Sequence, residues 1–384
     1  MTGMNGAAGL KGVNQRKEIT ALQFGTGRFL RAFADLFFSQ AEARGLAPGR
    51  VALVESTGAG RTGLIRERGG EWHVLVRGLA GGEVIDTVET VSSAGTAFSV
   101  GADWEQILET AALPSLRWVL SNTTEVGIAL DPEDRPEDRP PGSFPARLLR
   151  LLLHRHTAGL PGLAILPCEL VERNGKRLRD LTLQQAELWH TDPGAMEWLR
   201  EDCSWHCTLV DRIVTAGPAA HPLRQTDPLL ACAEPFALWA IEGDPAAPPL
   251  FPHEAILTTP DIRPYALRKL RLLNGTHTAL VGLAAPYGYV TVAEALQNTE
   301  IRQALEEMLF EEIVPILDGV EGAAEFAAQT LERLQNPFLD HRLADIAANH
   351  ALKQQIRLVP SLEEYRNRFG REPARLAAAV GFRG

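Results

Sequence analysis

Cysteine is scarce in this chain, with four among 384 residues, at positions 168, 203, 207 and 232. That is too few for a disulfide framework at this length, so a reduced, cytoplasmic protein is expected. Cys203, His206 and Cys207 lie close together, but DCSWHCTLV offers no second ligand pair at finger spacing, and no metal centre is expected. Basic residues are outnumbered, 38 against 48 acidic, giving a net charge of −10 with no concentrated basic tract. Nucleic-acid binding is therefore disfavoured. An anionic substrate would be repelled at long range and needs a local cluster of Arg or Lys. No run reaches the roughly 18 apolar residues of a membrane span. The first 18 residues hold no apolar core of signal-peptide length. Repeats and low-complexity tails are missing too. What is present is a 45% hydrophobic chain too long for one typical core, for which two domains are the natural expectation.

The segment ITALQF, Ile19–Phe24, reads as a short buried strand running into Gly25-Thr26-Gly27. Phe29, Leu30, Phe33, Leu36, Phe37 and Ala41 then recur at helical spacing until Gly45. A second strand, 51–54, ends in Glu55. Strand, glycine turn, helix, strand and acid follow one another as a dinucleotide fold requires. Further strands are expected at 73–77, 118–121, 163–166 and 209–215, with helices at 104–112 and 144–154 between them. This alternation predicts an α/β fold, a Rossmann-type, largely parallel sheet covered by helices. DPEDRPEDRPPG, at 131–142, interrupts it as a solvated loop rather than a domain linker. Beyond Pro260 the periodic segments look helical, notably 292–317 and Ala323–Leu334, and Pro264 suits the first turn of a helix. The expected organisation is a Rossmann-type NAD-binding domain over 1–258 and a mainly α-helical substrate and catalytic domain over 259–384.

The G-x-G turn lets main-chain amides approach a pyrophosphate, although Leu30 stands where a third glycine would. Glu55 is placed to accept hydrogen bonds from the adenosine ribose and to repel a 2′-phosphate, which favours NAD over NADP. Asn122 and Thr123 follow a buried strand where they either line a nicotinamide ribose pocket or cap a helix. The strongest signal is KLRLLNGTH, at 269–277. On a helix of about 100° per residue, Asn274 falls near 140° and His277 near 80° from Lys269. Ala266, Leu267, Leu270 and Leu273 share that arc while Arg268 and Arg271 point away, so an otherwise apolar face carries an amine, a carboxamide and an imidazole. Unpartnered, such groups would cost several kcal/mol to bury, and the three together point to a catalytic site.

The pattern K-x4-N-x2-H made by Lys269, Asn274 and His277 resembles the signature of the mannitol dehydrogenase family, the polyol-specific long-chain dehydrogenases. QFGTGRFLRAFADLF, SNTTEVGI, PCELVERNGKRL, TLVDRIVTAGP, PYALRKLRLLNGTHTAL and NPFLDHRLADIA extend the likeness over most of the chain, and bring it nearer to the members that act on hexuronates. The resemblance implies NAD, no catalytic metal and a small-molecule sugar acid as substrate. It makes Lys269 the general acid/base, Asn274 and Asn174 donors to a developing alkoxide, and His277 a group that orients substrate hydroxyls. Gly25, Gly27, Arg28, Phe29 and the Thr123 region become cofactor contacts. A sugar acid also needs a carboxylate clamp, for which His341, Arg342, Lys353 and Arg357 on a late helical segment are candidates. Oligomeric state is not legible, and the trio does not separate one hexuronate from another or from a neutral polyol.

Overall fold

The structure, a computed structural model, describes residues 18–123, 127–339 and 341–381. Thr124 and Glu125 of the SNTTE turn and the opening residues thus lie outside the described residues. The chain divides into two compact units. The first takes in the chain through Leu75, Val88–Ala233 and Ala237–Pro260; the second takes in Val76–Thr87, Glu234–Phe236 and the chain from Asp261.

The strands are β1 (Ile19–Phe24), β2 (Arg50–Glu55), β3 (Trp72–Ala80), β4 (Glu83–Val91), β5 (Ala94–Ser99), β6 (Trp118–Ser121), β7 (Ala164–Pro167), β8 (Ser204–Trp205), β9 (Thr208–Asp211), β10 (Val214–Ala216), β11 (Ala231–Ala233), β12 (Leu238–Glu242) and β13 (Ile256–Thr259). Six of them form one sheet in the order β5-β2-β1-β6-β7-β8, every pair parallel. Counted along the chain within that sheet, the order is 3-2-1-4-5-6, the doubly wound Rossmann arrangement. β1 and β2 are buried on both faces, which is why they read as nearly continuous apolar runs. Helices Trp104–Ala111 and Phe144–Thr157 bring Ile107, Leu148 and Leu152 into one core with Leu22, Phe24 and Val54. The expected parallel sheet is therefore present.

Two local expectations fail for identifiable reasons. The single helix read after the glycine turn is two, Arg28–Arg31 and Ala34–Ala43, broken at Ala32 and Phe33. The carbonyls at the break are taken by side chains: Trp72 Nε1 donates to Arg31 O at 3.2 Å and Arg212 Nη1 to Ala32 O at 3.0 Å. The strand read over 209–215 is also two. β9 pairs antiparallel with β12 in a three-stranded sheet, whereas β10 pairs with β11. The 131–142 loop is largely exposed yet anchored. Asp134 is buried, its carboxylate accepts from the Gly142 and Ser143 amides, and its carbonyl accepts from Trp189 Nε1 at 2.9 Å.

The second unit is helical from Asp261 onward, with Pro264 in the first turn of Arg263–Arg268 as expected. Helix Gly275–Ala284 is its hub. Eight of its ten residues are buried, a helix apolar all round because it is surrounded. Leu272, Leu280, Leu305, Leu309, Phe326 and Leu358 belong to the core it organises. The 292–317 stretch is not one helix but Val292–Ala295, Thr299–Glu307, a π-helical Met308–Ile313 and a 3₁₀ turn Val314–Leu317. Among the described residues no helix is long and apolar enough to cross a membrane.

Candidate active site

In the first unit the chain reverses direction across the sheet between β1 and β6, the switch point outside whose carboxyl edge ligands bind. Gly25 follows β1 there at φ +131°, and a Cβ on it would lie 3.1 Å from the carbonyl oxygen of Asn122 after β6. Only glycine suits that place. At Gly27, by contrast, an added Cβ would meet nothing within 4 Å, so the turn is open above it. Arg28 is exposed beside it, and Phe29 is half-buried and stacks on Phe33. The turn is pinned from beneath by residues that the sequence reading passed over. Arg31 donates to Thr26 O at 2.6 Å, and Gln23 donates to Gly25 O at 3.0 Å and to Asp35 Oδ2 at 3.2 Å. A signal was available: Arg31 and Asp35 are charges four apart in an otherwise apolar FLRAFADLFF.

Three expected cofactor contacts prove to be committed to protein partners. Glu55 is buried, and its carboxylate accepts from Arg61 N at 3.2 Å, Thr62 N at 3.0 Å and Thr62 Oγ1 at 2.9 Å. It caps the first turn of the helix Arg61–Glu67. Burial alone would raise its pKa, but the bonds from Thr62 and Arg61 outweigh that and hold it below the ordinary carboxylate value. Asn122 Nδ2 donates to Cys168 O at 2.8 Å, and Thr123 Oγ1 to Glu169 Oε1 at 3.0 Å. The buried Glu169 also accepts from Ser121 Oγ and from Thr123 N, so it staples the loop after β6 to the loop after β7. These bonds shape the sheet edge, and Thr123, partly buried, also lines a cavity there.

Asn174, expected as a donor to the alkoxide, has no donor left. Its Nδ2 gives hydrogen bonds to the carbonyls of Pro167, Glu169 and Thr208, each at 3.0 Å. Its Oδ1 accepts from Gly175 N and Thr208 N, both at 2.8 Å. With 1% of its surface exposed, it knits the end of β7 to β9 and is a positioning residue.

In the second unit, Lys269–Asn274 is π-helical and runs directly into the α-helix Gly275–Ala284. Bonding from i to i+5 gives roughly 80° per residue, which brings Asn274 to roughly 40° from Lys269. The three α-helical steps to His277 then leave all three groups within roughly 60° of arc, tighter than the regular helix expected. Arg271 on the other side pairs with Glu364, and Arg268 lies over the Phe326 ring at 4.5 Å. His277 is buried with its Nε2 unpartnered. Burial first, then the nearby His341, Arg333 and Arg357, depress its pKa well below 6.5, so the imidazole is neutral. The His341 ring centroid is 4.8 Å away.

Of the four carboxylate candidates, His341 and Arg357 thus lie close to His277, and Arg357 Nη1 donates to Thr278 Oγ1 at 3.3 Å. Lys353 neighbours Arg357 and gives its ammonium to Ile346 O at 2.8 Å. Arg342 is exposed at the start of helix Leu343–Ala347. Arg333 was missed. Its guanidinium, 4.1 Å over the Phe236 ring, grips Glu234 through Nε at 2.9 Å and Nη2 at 2.8 Å, both residues buried.

Residues 19–250 match the mannitol dehydrogenase Rossmann domain, and residues 261–383 the mannitol dehydrogenase C-terminal domain. The altronate oxidoreductase of Bacillus subtilis (strain 168) is 35% identical over 371 residues, which are 92% of this chain and 77% of that one. The altronate oxidoreductase of Halalkalibacterium halodurans is 37% identical over 370 residues, 92% of this chain and 72% of its own length. Among solved structures, a D-sorbitol dehydrogenase in substrate-free form superposes with a TM-score of 0.83 at 22% identity, covering 95% of this chain and 79% of that one. A ternary complex of Pseudomonas fluorescens mannitol 2-dehydrogenase with NAD and D-mannitol gives 0.76 at 21% identity, covering 95% and 78%. Matched in both its Rossmann and its helical part, and by relatives along nearly its whole length, the chain belongs to the mannitol dehydrogenase family of oxidoreductases.

Proposed function

We propose that this protein is an NAD-dependent reductase interconverting a keto-hexuronate and its aldonate, D-tagaturonate and D-altronate. The observation that carries the reading is the surroundings of His277: a neutral, buried imidazole with an unpartnered Nε2, close to His341, Arg333 and Arg357, on the continuous helix that bears Lys269 and Asn274. Such a setting suits a substrate that is both polyhydroxylated and anionic. The altronate oxidoreductases among its relatives support the choice of hexuronate.

Lys269 holds the proton that the substrate oxygen takes up on reduction and receives the alcohol proton in reverse. Asn274 donates from its carboxamide to the developing alkoxide. His277 Nε2 accepts from a substrate hydroxyl, and Arg357, with His341 beside it, meets the carboxylate. The nicotinamide cofactor supplies the hydride. The open G-x-G turn fits a dinucleotide, with Gly25, Gly27, Arg28 and Phe29 as the residues that would hold its pyrophosphate. Glu55, kept ionised by its cap bonds, places negative charge at the end of β2 and so disfavours a 2′-phosphate without touching the ribose. Four buried free thiols accord with a reducing cytoplasm.

NADH consumption with D-tagaturonate, D-fructuronate and D-fructose side by side, without added metal, tests the proposal. Turnover confined to tagaturonate is the expected result. A preference for fructuronate moves the substrate to the other acid, and a preference for fructose removes the carboxylate from the argument.

A further inference from the structure

A buried acid and a buried base sit together beneath the glycine turn of the first unit. Asp35, in the first turn of helix Ala34–Ala43, is wholly buried; its Oδ2 accepts from Gln23 Nε2 at 3.2 Å, while Oδ1 has no partner. Arg31 is buried as well, and its guanidinium donates to the carbonyls of Thr26 at 2.6 Å and Leu229 at 3.0 Å. The Gln23 nitrogen that reaches Asp35 also donates to Gly25 O at 3.0 Å. Two carbonyls of the turn are thus held from below. Because the carbonyl and the amide of a trans peptide point opposite ways, the Thr26 and Gly27 amides are turned away from the pair, to the side where a pyrophosphate would bind. We propose that Asp35 takes up a proton from solvent as the dinucleotide binds, so that cofactor affinity falls as pH rises past neutrality. The inference rests on the dinucleotide reading above.

A pyrophosphate brings negative charge to a turn that already has a carboxyl beneath it. Ionised, Asp35 offsets Arg31 and opposes the anion; protonated, it leaves the charge of Arg31 to attract it. Arg31 stays charged in either case, since burial lowers it only to about 10. The proton has a place to go, because Oδ1 can take it without breaking the bond that Gln23 gives to Oδ2. Burial already pushes the carboxyl up to about 7, against the pull of Gln23 and Arg31, so the exchange falls near neutrality. Other charges surround the base rather than the acid. Arg28, Arg61 and Asp227 act on Arg31, Arg212 reaches the break between the two helices through Ala32 O, and Asp227 is itself paired with Arg68 and His73. The charge that acts on Asp35 itself is that of Arg31. Asp35 is thus a positioning residue that reaches the turn through Gln23 and senses the ligand through charge.

Calorimetric titration of the full chain with ADP-ribose, in buffers of different ionisation enthalpy, counts the protons exchanged and leaves out the nicotinamide end, where Lys269 would titrate. The wild-type protein should take up about half a proton per molecule near pH 7.5 and bind about fivefold more weakly at about pH 8 than at about pH 6, the effect expected of a phosphate charge screened by an effective dielectric of about 20. Asp35→Asn, fixed in the neutral form, should exchange no proton and bind equally at both pH values. Gln23→Met removes a bond that opposes the effect of burial on Asp35 and should move the uptake to higher pH; it decides the matter if Asp35→Asn does not fold. Uptake that survives in Asp35→Asn, or that keeps its pH in Gln23→Met, overturns the inference while leaving the dinucleotide reading intact, as does wild-type binding with no proton exchanged. Failure of the wild-type protein to bind ADP-ribose or NADH at all overturns the dinucleotide reading itself.

Discussion

A carboxamide has two donor hydrogens and an oxygen with two lone pairs, and at Asn174 main-chain groups engage all of them. Asn174→Ala would leave the Gly175 and Thr208 amides and the carbonyls of Pro167, Glu169 and Thr208 without the carboxamide in a buried site. A loss of about 3 kcal/mol in folding stability is expected, following the cost of leaving buried polar groups unpaired, and urea unfolding measures it. If Asn174→Ala instead kept its stability and lost only turnover, the side chain would have to reach substrate after all. Lys269 should behave in the opposite way. Lys269→Ala is expected to abolish reduction while NADH binding, followed by fluorescence, and unfolding midpoint are retained; weakened cofactor binding with intact turnover would sink its assignment as the acid/base. The two residues belong to equally suggestive sequence blocks, and pattern alone does not distinguish them. Hydrogen-bond saturation does.

At the scale of elements, the π-helical turn decides whether the trio forms a site. A regular helix would spread Lys269, Asn274 and His277 over about 140°, and only the wider turn draws them together. Deleting Leu270, a half-buried residue within the turn, should restore α-helical bonding, and four steps of about 100° again leave Lys269 about 40° from Asn274. The expected variant is folded by circular dichroism and keeps reduction, because the shorter regular helix holds the trio in the same arc; a folded but inactive variant would show that the wide turn supplies more than the angle. Glu55 makes the matching case for a cap. Glu55→Gln keeps the shape but weakens the bonds to Arg61 and Thr62, and should cost about 1 kcal/mol, as lost helix caps do, read as a lower unfolding midpoint. An altered NADH preference with unchanged stability would return Glu55 to the ribose. Both elements announce their composition in the sequence, but not their geometry. KLRLLN carries no mark of i+5 bonding, and an acid after a strand reads the same whether it faces a ligand or a helix end. The broken helix after β1 was equally hidden, because its cause, Trp72 and Arg212, lies far away along the chain.

For the molecule as a whole, legibility followed hydrophobic runs. β1, β2, β6 and β7 are branched and apolar enough to be read directly, whereas β5, AGTAFS, completes the Rossmann order with small residues and was passed over. Charge burial followed no such pattern, and it sets the response of the fold to pH through two groups of opposite sign. Asp35 is wholly buried, with Oδ1 unpartnered; burial pushes its carboxyl up to about 7, against the pull of Gln23 and Arg31. Its folded value thus lies above its ordinary 3.8, so the native state binds more protons and stability falls as pH rises from about 4 to about 7. His277 is depressed well below 6.5, so the unfolded chain binds the extra proton, and its contribution is present above about 6.5 and lost as pH falls. Between pH 5 and 7 the two slopes oppose one another. Asp35→Asn should remove the falling term and make the urea midpoint climb more steeply from pH 5 to 7, while His277→Gln should flatten or reverse the climb. Should Asp35→Asn leave the slope unchanged, the carboxyl beneath the glycine turn is ionised throughout this range, and Arg31 rather than a proton balances it.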